Sequence, residues 1–139
     1  MIDGLRFSIL VVDDDEDDRF FMDKAFQAIG YEPEVKKFIT GEDLIHYLEK
    51  INSSVYPSLI VLDNTLPKLN ASDILTKLKS NPHYEHIPVV IYSTFIPAQK
   101  KQQLISRGAY ACLEKGNSMR ELVKVAKDLK ELAEANIKE

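Results

Sequence analysis

With a single cysteine, Cys112, the chain has no means of forming an internal disulfide. A lone thiol in an apolar stretch suits a reducing compartment, and a cytoplasmic location is expected. No apolar run approaches the roughly 20 residues that a membrane-spanning helix needs. The stretch from Met1 to Ser8 is too short and too polar for a signal peptide. Positive charge is not in excess: 18 basic residues stand against 22 acidic ones, for a formal charge of −4. That balance gives no reason to expect nucleic acid or an anionic membrane as a partner. Lys124, Lys127 and Lys130 gather late in the chain, but Glu121, Asp128, Glu131 and Glu134 are interleaved with them, as on a solvated helix face. Only five glycines and six prolines are present, with no low-complexity linker and no repeat. No glycine-rich loop follows the first apolar run, which argues against a flavin or nucleotide held by backbone N–H groups there.

What is present is 45% hydrophobic and patterned. Four continuous apolar runs stand out: Ile9 to Val12, Leu59 to Leu62, Val89 to Tyr92 and, more weakly, Tyr110 to Leu113. Continuity, rather than alternation, is expected of strands buried on both faces of a parallel sheet. Pro33 to Phe38 is more polar and reads as an edge strand. Helical spacing fills the intervals. Phe21, Ala25 and Ala28 form one stripe, with Phe20 and Phe26 beside it and Gly30 closing the segment. Leu44, Ile45, Leu48 and Ile51 form a second, opened by Thr40 and Asp43. Ile74, Leu75 and Leu78 follow, with Ser72 as the expected cap and an end before Pro82. A short helix through Leu104 and Ile105 ends at Gly108, and Leu122, Val125, Ala126, Leu129, Leu132 and Ala133 mark the last. Strand–helix repeated five times predicts an α/β fold, a five-stranded parallel sheet with helices on both faces. Spacing alone does not fix strand order, and the flavodoxin-like order 2-1-3-4-5 is the prior for five strands. We expect a single domain over 1–139, its core at about 7–135, with no output domain.

In such a fold, ligands bind beyond the carboxyl ends of the strands, where strand order reverses. The first run ends in six consecutive acids, Asp13 to Asp18, and the second ends in Asp63. Carboxylates from two adjacent strands would meet there and repel unless a cation neutralised them. A small, hard ion fits best, and magnesium leads. Asp15 reads as a helix cap, and Glu16, Asp17 and Asp18 as acids at the positive end of that helix. Asp13, Asp14 and Asp63 continue buried strands and have no such ordinary role.

Val11-Val12-Asp13-Asp14, Leu62-Asp63 with Pro67 four residues on, Ile87 to Ser93, and Gly108-Ala109 leading to Lys115 together resemble a bacterial response-regulator receiver domain, of the stand-alone, chemotaxis-regulator kind. The resemblance implies that Asp63 accepts a phosphoryl group. It implies that Asp14 ligates Mg2+ directly, that Asp13 acts through water, and that Asp63 and the backbone carbonyl of Thr65 complete the metal site. It assigns the phosphoryl contacts to the Ser93 hydroxyl and Lys115. The implied partners are a sensor histidine kinase or histidine phosphotransfer protein and a downstream target protein, with the chain a monomer or weak homodimer. A signalling module, not an enzyme, is expected; the alternatives are a phosphorylation-independent pseudo-receiver or a magnesium-dependent phosphohydrolase. Four positions depart from the pattern: Gly116 where proline is usual, Cys112 where a switching aromatic is usual, Lys68-Leu69-Asn70-Ala71 in the turn after Pro67, and Phe95 two residues past Ser93. A left-handed Asn70 is expected to rescue that turn, and Phe95 to shield the acyl phosphate from water.

Overall fold

The computed structural model describes residues 8–30, 34–51, 56–66, 69–116 and 118–137. Five strands alternate with five helices: β1 (Ser8–Val12), α1 (Glu16–Ala28), β2 (Glu34–Phe38), α2 (Gly41–Lys50), β3 (Leu59–Asp63), α3 (Ala71–Lys79), β4 (Val89–Ser93), α4 (Ala98–Ser106), β5 (Ala111–Glu114) and α5 (Met119–Ile137). The strands form one parallel sheet in the expected order β2-β1-β3-β4-β5. Pro33, Pro67 and Lys68 lie outside the described residues.

Successive strand residues point to opposite faces, so a continuous apolar run supplies two cores at once. Leu10, Val12, Ile60, Leu62, Val89 and Ile91 pack with Leu44, Leu48, Ile74, Leu75, Leu78 and Leu104. Their sequence neighbours Ile9, Val11, Leu59, Val61, Val90 and Tyr92 face the other way, onto Met22, Ala25 and Phe26 of α1 and Leu122, Ala126, Leu129 and Ala133 of α5. Residues of β3 and β4 are buried throughout, whereas β5 is only partly covered, as an edge strand.

Three expectations need correction. The buried face of α1 is Met22, Ala25 and Phe26, while Phe20, Phe21 and Ala28 are exposed. The face toward the sheet and α5 is rotated from the aromatic stripe, and the thinner Met22–Ala25 face allows close approach. The α3 cap is Asn70, not Ser72: its side chain accepts from the Asp73 N–H at 2.9 Å. Asn70 is extended rather than left-handed (φ −82°, ψ 177°), since a cap must keep non-helical backbone to aim its oxygen at the first turn. Elsewhere the local signals hold. Thr40 Oγ1 accepts from the Asp43 N–H, Asp15 caps α1, and Gly30 closes α1 at φ +69°, a conformation that a side chain disfavours.

These packing assignments carry a check by urea denaturation. Leu62→Ala should cost about 2–5 kcal/mol, as for a core leucine that leaves a cavity. Asn70→Ala should cost about 1 kcal/mol, while Ser72→Ala stays within about 0.5 kcal/mol.

Candidate functional site

All the acids and the lysine singled out in the sequence lie at one end of the sheet. Parallel strands end together, so the residue at or just after each carboxyl end joins a common rim. Asp13 follows β1, Asp63 ends β3, Ser93 ends β4 and Lys115 follows β5. The last rung of the sheet aligns them: the Lys115 N–H donates to the Ser93 carbonyl at 2.8 Å, and the Asp13 N–H to the Phe38 carbonyl at 3.0 Å. Asp13, Asp63 and Ser93 are 3%, 4% and 2% exposed, while Asp14 is open to solvent.

Each buried carboxylate has one oxygen held locally and one turned to Lys115. Asp13 Oδ1 accepts from the Asp15 N–H at 2.9 Å, and the Asp13 carbonyl accepts from Arg19 Nη1 at 2.7 Å. Asp63 Oδ1 accepts from both the N–H and the hydroxyl of Thr65, each at 3.0 Å. Lys115 Nζ then donates to Asp13 Oδ2 at 3.1 Å and Asp63 Oδ2 at 3.3 Å. It also reaches Asp18 Oδ2 at 2.6 Å, the closest of the three. Asp18 is the site residue that the sequence reading missed, having assigned it to the helix terminus. The available signal was its place in the first turn of α1, where side chains lean back toward the helix start and so over the end of β1.

The electrostatics follow from burial and crowding. Burial pushes the Asp13 carboxyl up to about 6, against the Asp15 N–H and Lys115, which pull it down, with Asp63 adding to the rise. Burial alone would lower the Lys115 ammonium, but Asp18, Asp13 and Asp63 together hold it well above the usual lysine range. Tyr92, buried beneath, is pushed up to about 12, mainly by burial. Its ring centroid lies 5.5 Å from Lys115 Nζ, a cation–π distance.

Asp13, Asp14 and Asp63 each offer a carboxylate oxygen within 4.8 Å of the others, so they form a group able to hold a metal ion. An all-oxygen donor set fits a hard divalent cation.

The departures take definite form. A Cβ at Gly116 would stand 2.5 Å from the Glu121 Cβ, so the start of α5 leaves no room for a larger residue without shifting. Cys112 is half-buried against the α2–α3–α4 side of the core. Tyr92 is buried and Tyr110 exposed. Phe95 is 68% exposed, so its ring lies largely in solvent rather than folded away with the carboxylates. His46, His83 and His86 are exposed, away from this rim.

Lys115 is thus the cation that makes two buried carboxylates tolerable. Lys115→Met, with no metal added, should lose about 3 kcal/mol or more, as when one partner of a buried pair is removed. Urea unfolding at neutral pH measures this. A loss comparable to that of an exposed lysine such as Lys127 would show that the network contributes little.

The chain is similar to known proteins in sequence and in fold. The response regulator receiver domain model matches residues 9–127. The probable methanogenesis regulatory protein FilR2 of Methanothrix harundinacea is 24% identical over 127 residues, covering 90% of this chain and 82% of that protein. The structure of the phosphorylated cyanobacterial phytochrome response regulator RcpA superposes with a TM-score of 0.80 at 26% identity, covering 91% of this chain and 92% of that one. The Mn2+-bound form of the response regulator Rcp1 shares the fold, with a TM-score of 0.77 at 23% identity over 90% of this chain and 92% of that chain. The chain spans only 19% and 14% of two longer curated relatives that it matches at 32% identity. Strand order, rim and a family match over 119 of the 139 residues (9–127) lead to one conclusion: the chain belongs to the response regulator receiver domain family of two-component systems, a signalling domain rather than an enzyme.

Proposed function

We propose that the protein is a phospho-accepting receiver in which Asp63 takes a phosphoryl group from a phosphohistidine on a sensor histidine kinase or histidine phosphotransfer protein. The observation that carries this reading is the Asp63 carboxylate itself: almost fully buried, oriented by Thr65, and faced by the Lys115 ammonium at 3.3 Å. Transfer forms a bond from an Asp63 carboxylate oxygen to phosphorus and breaks the phosphorus–nitrogen bond of the donor. The departing imidazole keeps the electron pair and takes a proton. Such a transfer needs alignment and positive charge around the phosphoryl oxygens more than it needs further covalent chemistry.

The residues supply both. Thr65 fixes the Asp63 carboxyl plane through Oδ1. Lys115 provides positive charge, and the Ser93 hydroxyl, on the adjacent strand end, provides a hydrogen bond to the acyl phosphate. Asp13, Asp14, Asp63 and the Thr65 carbonyl are the groups that would hold Mg2+. When bound, the ion contributes positive charge that offsets the phosphoryl oxygens and the crowded carboxylates.

Phosphorylation would draw Ser93 and the segment after it toward the acyl phosphate and shift the balance between two surface conformations that a downstream target protein distinguishes. The chain would act through protein contacts, as a cytoplasmic monomer or weak homodimer. Its net charge of −4 offers no general attraction for nucleic acid, and among the described residues no helix is long and apolar enough to cross a membrane.

Two measurements test the reading. Incubation with acetyl phosphate should add one phosphoryl group to the intact chain by mass spectrometry, only with Mg2+, and none to Asp63→Asn. If wild type gains nothing and also fails to bind beryllofluoride, the chain is instead an interaction module that works without phosphorylation. Separately, Mg2+ alone should raise the thermal midpoint of wild type, as a ligand of the folded state does. That rise should be lost in Asp14→Asn and kept in Asp43→Asn, a change in the first turn of α2.

A further inference from the structure

Asp18 has no part in the chemistry set out above, yet it makes the shortest contact of Lys115. The Nζ–Oδ2 distance is 2.6 Å, against 3.1 Å to Asp13 and 3.3 Å to Asp63. An ammonium group has three N–H donors and no more. Three carboxylate oxygens already take them, so Lys115 has no donor to spare in this state.

The three contacts differ in what their loss would leave behind. The side chains of Asp13 and Asp63 are 5% and 4% exposed, and removing their cation leaves a charge with little water to turn to. The side chain of Asp18 is 36% exposed and can be hydrated once released. A phosphoryl group on Asp63 brings roughly 1.5 to 2 negative charges and strong acceptor oxygens. It can recruit Lys115 only if one existing contact opens. The Asp63 contact goes to the group that is itself modified. Of the two unmodified acids, Asp13 is buried and Asp18 is not, so the Asp18 contact is the one that can open without stranding a buried charge.

We infer that Asp18 is a positioning residue: it clamps the Lys115 ammonium in the unphosphorylated protein and competes with the phosphoryl group for it. This rests on Asp63 being the acceptor. The clamp holds the resting state and sets how readily the modified state forms. Removing the Asp18 charge acts in two ways, by freeing a donor of Lys115 and by lessening repulsion of an incoming anion. Only the first requires Lys115, so the two can be separated.

The test compares wild type, Asp18→Asn, Lys115→Met and the double variant in two assays. With Mg2+, beryllofluoride binding is measured by calorimetry. Asp18→Asn should bind about three- to fivefold tighter than wild type, the scale of one half-exposed ion pair. In the Lys115→Met background the same change should give little or no tightening. Without metal, urea unfolding of the four proteins should reveal a favourable coupling between Asp18 and Lys115, a quantity independent of phosphoryl chemistry. Asp18→Ala, which keeps no polar group, should tighten binding in the same direction.

Unchanged or weaker binding by Asp18→Asn would overturn the clamp, as would equal tightening without Lys115 or an absence of coupling in the metal-free protein. Wild type that binds beryllofluoride while these fail leaves Asp63 as acceptor and sinks the clamp alone. Wild type that binds none overturns the acceptor role, and the clamp's competition with it.

Discussion

Two carboxylates brought within reach of each other in a nearly dry crevice repel, and each also loses its water. The rest of this site is arranged around that cost. Asp13 and Asp63 are carried there by adjacent strands whose apolar residues are pinned on both faces, so neither can retreat. Lys115 answers them from across the sheet, with its backbone N–H on the Ser93 carbonyl and its ammonium among the acids. The same rung that ends the β4–β5 pairing therefore places the cation. A slip of one residue in that pairing would move the residue after β5 to the opposite face and leave the carboxylates unpaired.

Rigid support makes this crowding useful. The acids and Ser93 stand at or just after the ends of strands paired on both sides, and Lys115 just after the edge strand β5, rather than on long loops. The first helix is tied in twice: Asp15 caps it and donates its N–H to Asp13, while Arg19 reaches back to the Asp13 carbonyl. At the other edge, β5 is only partly covered, and Cys112 and Gly116 replace the residues expected by family resemblance. Gly116 is matched to its surroundings, since the start of α5 crowds the space a Cβ would take. Tyr92 places an aromatic ring under Lys115 on the fourth strand rather than the fifth.

Much of this was legible from residue order. Four continuous apolar runs and one more polar edge segment, separated by helical stripes, mark the five strand–helix units; the strand order is an expectation from the fold class that the sheet bears out. Asp13, Asp14 and Asp63 announced themselves because a charged residue that continues a buried run has few ordinary explanations. The buried face of α1 departs from the aromatic stripe because aromatic size is a poor guide when a helix approaches a sheet and another helix at once. There Met22 and Ala25 are inside, and Phe20 and Phe21 are out. The α3 cap was displaced by two residues, since Asn70 and Ser72 are both good caps and only backbone geometry chooses between them.

The sequence alone determined the fold class, the end of the sheet where chemistry would gather and three of its acids, Asp13, Asp14 and Asp63, because each depends on local spacing and on the cost of burying charge. Tertiary structure alone decided which cation meets which carboxylate. Asp18 and Lys115 are 97 residues apart and touch at 2.6 Å, and no local pattern encodes that meeting. It arises because five parallel strands end together and bring the first turn of α1 and the end of β5 to the same crevice. There a long, charged side chain settles wherever the summed field of its neighbours is deepest.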